Sequence, residues 1–267
     1  MRFIDRVRFF TQEKINKKEK LALVVYLFIG LLIVFSLIRQ AVNRNYFNVL
    51  LCTFSLVLIT LPLFIESKTR IEFPQTLEII TICFVFAAEI LGEISNFYYY
   101  IPIWDSILHV TTGCLAAAIG FGAIDLIITH AKRISMTPFF VVAVAFCFSM
   151  TIAVFWEFFE FGADVVLRTD MQKDTYINQF STVNLDDTCS NISVPVNNVG
   201  KTQIKDNDGN EIESFDGYLD IGLVDTMKDL FVNMIGAVVF SVYAYLYSRR
   251  KDKYKFIENI IIKEKEL

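Results

Sequence analysis

Six long, nearly uninterrupted apolar blocks constrain this chain more than anything else in it: Leu21–Ile38, Tyr46–Ile65, Leu77–Ile94, Trp104–Ile128, Pro138–Glu160 and Asp225–Tyr247. Each approaches the ~20 residues that an α-helix needs to cross a ~30 Å hydrocarbon layer. Inside lipid every backbone amide must be paired within its own segment or in a closed barrel. Barrel strands of ~10 alternating residues do not fit blocks of this length and apolarity. The expected fold is therefore all-α, a polytopic membrane bundle of about six transmembrane helices.

Orientation follows from the basic residues, which collect in cytoplasmic loops. Seven lie at or before Lys20, Lys68 and Arg70 follow the second span, Lys132 and Arg133 follow the fourth, and seven lie from Arg249 onward. The opposite side holds Arg39, Arg44, Arg168, Lys173, Lys201 and Lys205. Both termini are thus expected in the cytoplasm, in a bacterial inner or plasma membrane. The organisation reads as a basic cytoplasmic lead (1–20), spans one to five (21–163), an extracytoplasmic loop (164–224), the sixth span (225–247) and a cytoplasmic tail (248–267). In the lead, Phe3, Ile4, Val7 and Phe10 share one helical face beside Arg2, Arg6 and Arg8, a pattern for a helix lying on anionic lipid or a short solvated one. The first apolar run is followed by no small-residue cleavage pattern and reads as a retained anchor.

The net charge of −4 conceals this asymmetry and offers no case for a nucleic-acid partner. Membrane lipid is the expected partner. Cys52, Cys83, Cys114 and Cys147 fall in spans two to five and Cys189 alone falls in the outer loop, so neither a disulfide framework nor a zinc pattern is present. Within the loop, KTQIK (201–205) and NEIES (210–214) alternate around Asp208-Gly209 and predict a small β-hairpin. An EF-hand fails there, because placing Gly209 sixth puts Ile204 first and Phe215 last. Asn191-Ile192-Ser193 is a formal glycosylation triplet of the kind that arises often by chance.

Charge inside spanning segments is expensive, about 2.5–3.5 kcal/mol per residue at a helix centre, and here it is plentiful. The third span carries Glu89 and Glu93, the fourth Asp105 and His109, the fifth Glu157 and Glu160 with Asp164 beyond, the sixth Asp225, Asp229 and Asn233. Offsets of three, four and seven place each set on one helix face. Spans three and five run outward and spans four and six inward, so all four sets reach the same, outer leaflet. A polar pocket opening outward, closed beneath by apolar residues, is the expected consequence.

So many carboxylates near only His109 and Lys228 cannot all stay ionised. Either several hold protons or a divalent cation compensates them. Oxygen ligands with one imidazole suit Mg²⁺, Mn²⁺, Ca²⁺, Fe²⁺ or Zn²⁺. The metal-ligand set reads as Asp105, His109, Glu157, Glu160, Asp225 and Asp229, with Asp229 and Glu160 as catalytic bases and Glu89, Glu93 and Asn233 lining the pocket. Taken singly, each has a structural account as well. Asp105 and Asp225 begin helices, where carboxylates cap free amides; Trp104 and Trp156 suit the aromatic belt; Gly113 and Gly236 suit close helix packing.

Three segments carry a family resemblance: LGEISNFYYYIPIWDSILHVTTG (91–113), WEFFEFGAD (156–164) and YLDIGLVDTMKDLFVNMIGA (218–237). They resemble the YjdF-type bacterial inner-membrane proteins, a domain of unknown function, and more distantly VanZ-like proteins. The likeness covers roughly residues 77–240 and implies a small multi-helix membrane domain with Glu93, Asp105, His109, Glu157, Glu160, Asp225, Asp229 and Asn233 at motif positions. It names no reaction, and the long acidic loop departs from the VanZ-like pattern. Three functions compete: an envelope enzyme acting on a lipid head group or lipid-linked substrate through a bound metal, a proton- or cation-coupled carrier, and a structural or sensor protein whose loop binds a partner.

Overall fold

In the computed structural model the described residues are 20–131 and 136–265. The basic lead up to residue 19 and Lys132 and Arg133 lie outside them. Among the described residues five helices are long and apolar enough to cross a membrane: α1 (Lys20–Val42), α2 (Tyr46–Lys68), α5 (Trp104–His130), α6 (Pro138–Leu167) and α7 (Leu223–Arg249). The remaining expected span is composite. Helix α3 (Gln75–Val85) runs directly into a nine-residue π-helix, Phe86–Ile94, followed by the single turn α4 (Phe97–Tyr100). Its end is marked by the Ser95 amide donating to the Ile90 carbonyl at 3.0 Å, an i→i+5 bond. A π-helix this long is rare, and such segments concentrate at functional sites.

The chain divides into two compact units, Met1–Ala153 with Leu230–Leu267, and Val154–Asp229. In the first, α1 buries Ala22, Ile29, Ile33 and Gln40 while Leu27, Phe28, Leu31 and Phe35 are each more than 60% exposed. Four large apolar side chains displayed on one helix would be strongly unfavourable in water at about 25 cal/mol per Å². Lipid is the solvent that suits them. The inward stripe meets Cys52 and Ile59 of α2 and Ile82, Val85 and Ile90 of the composite span. A second core joins Ala117 and Phe121 of α5, Val141 and Ala145 of α6, and Ala237, Phe240 and Ala244 of α7.

The segment after α7 belongs to this unit's core. Ile257 is fully buried and joins the second core with Ile261, while Ile262 packs with Phe73 and Leu77. A two-residue antiparallel ribbon, β1 (Ile71–Glu72) with β8 (Lys263–Glu264), fixes its end. Gly122 of α5 allows the approach: a Cβ there would stand 2.7 Å from the Ile262 side chain and 2.8 Å from its backbone nitrogen.

The second unit carries three strand pairs: β2 (Thr175–Ile177) with β7 (Tyr218–Asp220), β3 (Phe180–Thr182) with β4 (Val194–Val196), and β5 (Lys201–Lys205) with β6 (Glu211–Asp216), all antiparallel. The last is the predicted hairpin. Asp206 closes its turn, its carboxylate accepting the backbone N–H groups of Asp208 and Asn210 and the Asn210 side-chain amide. Gly209 takes the positive φ (+87°) that this turn requires. Stacked rings, Tyr176 on Phe215 and Phe180 on Tyr218, hold the pairs together. Cys189 and the other four cysteines are free thiols.

Candidate metal centre

Helix α5 begins at Trp104, whose indole N–H donates to the Ala87 carbonyl in the π-helix at 3.2 Å. Its ring also meets Phe97 edge-on at 5.0 Å. This anchorage sets the first turn of α5, and with it Asp105. One turn on, His109 is buried and its Nε2 lies 3.5 Å from Asp105 Oδ1.

A further turn on, α5 meets α7 backbone to backbone. A Cβ on Gly113 would fall 2.1 Å from the Asn233 carbonyl oxygen, and one on Gly236 would fall 2.0 Å from the Val110 carbonyl oxygen. The Gly113 carbonyl accepts the Ser149 hydroxyl of α6 at 2.9 Å, and the Cys114 thiol donates to the Gly236 carbonyl at 3.1 Å. Small residues at such a crossing let helices approach where lipid supplies no hydrophobic driving force between them. The contact leaves Asn233 with no solvent exposure, its Oδ1 lacking a hydrogen-bond partner and its amide nitrogen near Met150 Sδ at 3.7 Å.

Asp229 stands one turn before Asn233 on α7 and is 1% exposed. One ligand atom each from Asp105, His109 and Asp229 can be chosen so that all three lie within 4.8 Å of one another. Among the described residues this is the one such group of three or more. Two carboxylates and an imidazole form a donor set suited to a first-row divalent cation or magnesium, and the charge of a dication matches the two acids.

The predicted acidic site residues outside this group are Asp225, Glu160, Glu157, Glu89 and Glu93. Asp225 accepts the Lys173 backbone N–H at 2.9 Å and faces the Lys228 ammonium at 3.4 Å, which ties the loop to the start of α7. Lys228 also reaches Asp229 at 3.6 Å. Glu160 accepts the Trp156 indole N–H at 2.9 Å, and Glu157 beside it is buried. Asp164 ends α6 by accepting Thr169, Met171 and Gln172. Beyond it, Asp174 is pushed up from the usual carboxylate range by burial and by Asp170, Asp164 and Asp220. Glu89 is buried in the π-helix, one turn before Glu93. None of Glu89, Glu93, Glu157, Glu160 and Asp225 falls in the three-residue group.

Two buried acids escaped the sequence reading. Glu66 near the end of α2 is 4% exposed and accepts the Phe73 backbone N–H at 2.6 Å, and Glu78 in the first turn of α3 is 1% exposed. Both sit at the margins of apolar blocks, where a carboxylate is ordinarily assigned to water. Only the bend at Phe73-Pro74, which returns the chain upon α2, could have signalled their burial.

Long apolar helices around a buried, acid-rich site define a polytopic membrane protein. The chain belongs to the family described as "Predicted membrane protein (DUF2238)", whose model matches residues 21–250. An uncharacterized protein of Thermotoga maritima is 29% identical over 154 residues, covering 57% of this chain and 75% of that protein. No solved structure matches.

Proposed function

We propose that Asp105, His109 and Asp229 bind a divalent cation, and that this centre serves an envelope enzyme acting on a lipid head group or lipid-linked substrate. The observation that carries this reading is the approach of three ligand atoms to within 4.8 Å. The donor chemistry, the buried setting of His109 and Asp229 and the unsatisfied Asn233 amide oxygen one turn away support it. The centre lies in the first turns of α5 and near the start of α7, the level of a lipid head group by helix rise. A dication held by these three residues would supply Lewis-acid chemistry, polarising a phosphoryl or acyl oxygen or acidifying a water. Asp229 or Glu160 would be the base in such chemistry, with Glu157 and Asp225 as the further acids of the proposal. With the basic residues assigned to the cytoplasm, the site faces outward.

The test is metal analysis of purified protein before and after dialysis against chelator. Near-stoichiometric metal in the wild type, lost in His109→Ala and Asp229→Asn with folding retained, is the expected result. A metal-free protein indistinguishable from the variants in metal titration overturns it. A carrier is the second reading, favoured by the buried Glu157, Glu160 and Asp229. Against it, the Gly113–Asn233 contact closes α5 on α7 directly beneath the cluster. Proton or cation flux into proteoliposomes that disappears in Asp229→Asn would replace the first reading with this one.

A further inference from the structure

At the far end of α5, about 40 Å of helix from Asp105, lies a second and different site. A cavity of about 580 Å³ is walled by Ile71, Leu126 and Ile127 and edged by Arg70, His130 and Glu264. Its size falls in the range of ligand pockets, about 300–1,000 Å³. The C-terminal segment builds one side. The Lys265 N–H donates to the Arg70 carbonyl at 2.7 Å, and the β1–β8 ribbon pairs Ile71 with Glu264.

The polar edge is already arranged around an oxyanion. His130 Nδ1 lies 2.8 Å from the Leu126 carbonyl, an arrangement that makes Nδ1 the donor and turns Nε2 toward Glu264, 3.0 Å from its Oε1. Arg70 lines the same cavity and has no ion-pair partner among the described residues. The wall is different in kind. Ile127 is 57% exposed on a membrane-spanning helix, so the apolar side of the cavity is continuous with surface meant for hydrocarbon. An anionic edge-seeker with an apolar body at the end of a membrane span is the chemistry of a phospholipid, and basic pockets at helix ends hold such head groups.

We propose that this cavity binds an anionic phospholipid of the adjacent leaflet, its phosphate on Arg70 and His130 and its acyl chain along Ile71, Leu126 and Ile127, in competition with the Glu264 carboxylate. Glu264 is then a resident stand-in for the phosphate. A lipid that displaces it breaks the His130–Glu264 pair and loosens the end of the β1–β8 ribbon. The cavity thereby couples leaflet charge to the seating of the C-terminal segment. The site is independent of the metal centre, and the basic loops around it assign it to the cytoplasmic leaflet.

The experiment is native mass spectrometry of delipidated full-length protein titrated with phosphatidylglycerol, with phosphatidylcholine, or with inorganic phosphate alone. Wild type is expected to retain phosphatidylglycerol over phosphatidylcholine. Arg70→Gln should bind phosphatidylglycerol about five-fold more weakly, as expected for losing one basic contact at a membrane surface. Glu264→Gln, which frees His130, should bind it more tightly than wild type. Both positions are at the surface, and an unchanged melting curve in detergent verifies that each variant is folded. Equal retention of the two lipids, an Arg70→Gln protein with unchanged selectivity, or full competition by millimolar phosphate alone overturns the proposal.

Discussion

The Asn233 carbonyl oxygen occupies the space that a side chain on Gly113 would need, 2.1 Å from the position of its Cβ. The reciprocal pair, Gly236 against the Val110 carbonyl, stands at 2.0 Å. Both obstacles are backbone atoms, so no rotamer change relieves them. Gly113→Ala and Gly236→Ala must push α5 from α7, and each is expected to destabilise by roughly 1–3 kcal/mol, the usual range for overpacking. Because Asp229 lies one turn from Asn233, both variants should also weaken metal binding. Gly30→Ala in α1 meets nothing within 4 Å and is the control, neutral or slightly stabilising. Melting temperatures in detergent, with and without added metal, decide it.

Asp225 and Asp229 lie on one face of α7, one turn apart, but their surroundings predict opposite phenotypes. Asp229→Asn removes a proposed ligand and should lower metal affinity by at least about 100-fold, beyond what loss of a supporting contact does. Asp225→Asn removes the charge that faces Lys228 and leaves a weaker, neutral acceptor for the Lys173 N–H. Its effect should be looser attachment of the loop at Lys173, with metal affinity reduced less than about ten-fold, below the usual effect of losing a supporting contact. Metal titration with hydrogen exchange around Lys173 separates the two. Equal loss of affinity in both variants would place Asp225 among the ligands.

Much of the architecture was legible because lipid forces it: long apolar blocks must be helices, and among the described residues five are single long α-helices while the sixth passes from α- to π-helix. Alternation about Asp208-Gly209 specified the β5–β6 pair for an equally local reason. The site was legible only in outline. Spacings of three and four identify a face of one helix, yet which faces meet depends on helix crossings, and the crossing here is set by Gly113 and Gly236. Hence Asp105 and His109 could be paired from the sequence, whereas the approach of Asp229, and not Asp225, to that pair depends on the helix crossing. The π-helix from Phe86 to Ile94 has no residue signature comparable to proline. Likewise Ile257, Ile261 and Ile262 follow a run of Lys and Arg that resembles a solvated tail, and their burial depends on contacts distant in the chain.

The loop offers a pH test free of the membrane. Asp186 is held down at about 2 by the Thr188 hydroxyl and by the backbone N–H of Ile192, with further N–H bonds from Thr188 and Ser190. A folded-state value below the ordinary 3.8 means that the ionised carboxylate stabilises this turn fully above about pH 4. That contribution is lost as pH falls through about 2. The amides of Ser190 and Ile192 should therefore lose protection between pH 4 and 2, and Thr188→Val should move the transition upward. Hydrogen exchange read by mass spectrometry checks both, and a transition unmoved by Thr188→Val removes the hydroxyl from the account.

Cys189 supplies the decisive test of orientation, on which the outward-facing reading of the metal centre depends. It is exposed in the loop of the second unit, whereas Cys83 and Cys147, though exposed on the protein surface, lie on apolar spans where lipid covers them. A charged, membrane-impermeant maleimide needs an ionised thiol in water, so of these three only Cys189 should react. If both termini are cytoplasmic, intact cells whose outer barrier is opened should label at Cys189 without lysis, and Cys189→Ser should abolish the signal. Labelling that requires lysis would turn the whole chain over, bring the Asp105–His109–Asp229 group to the inner face, and replace an envelope substrate with a cytoplasmic one.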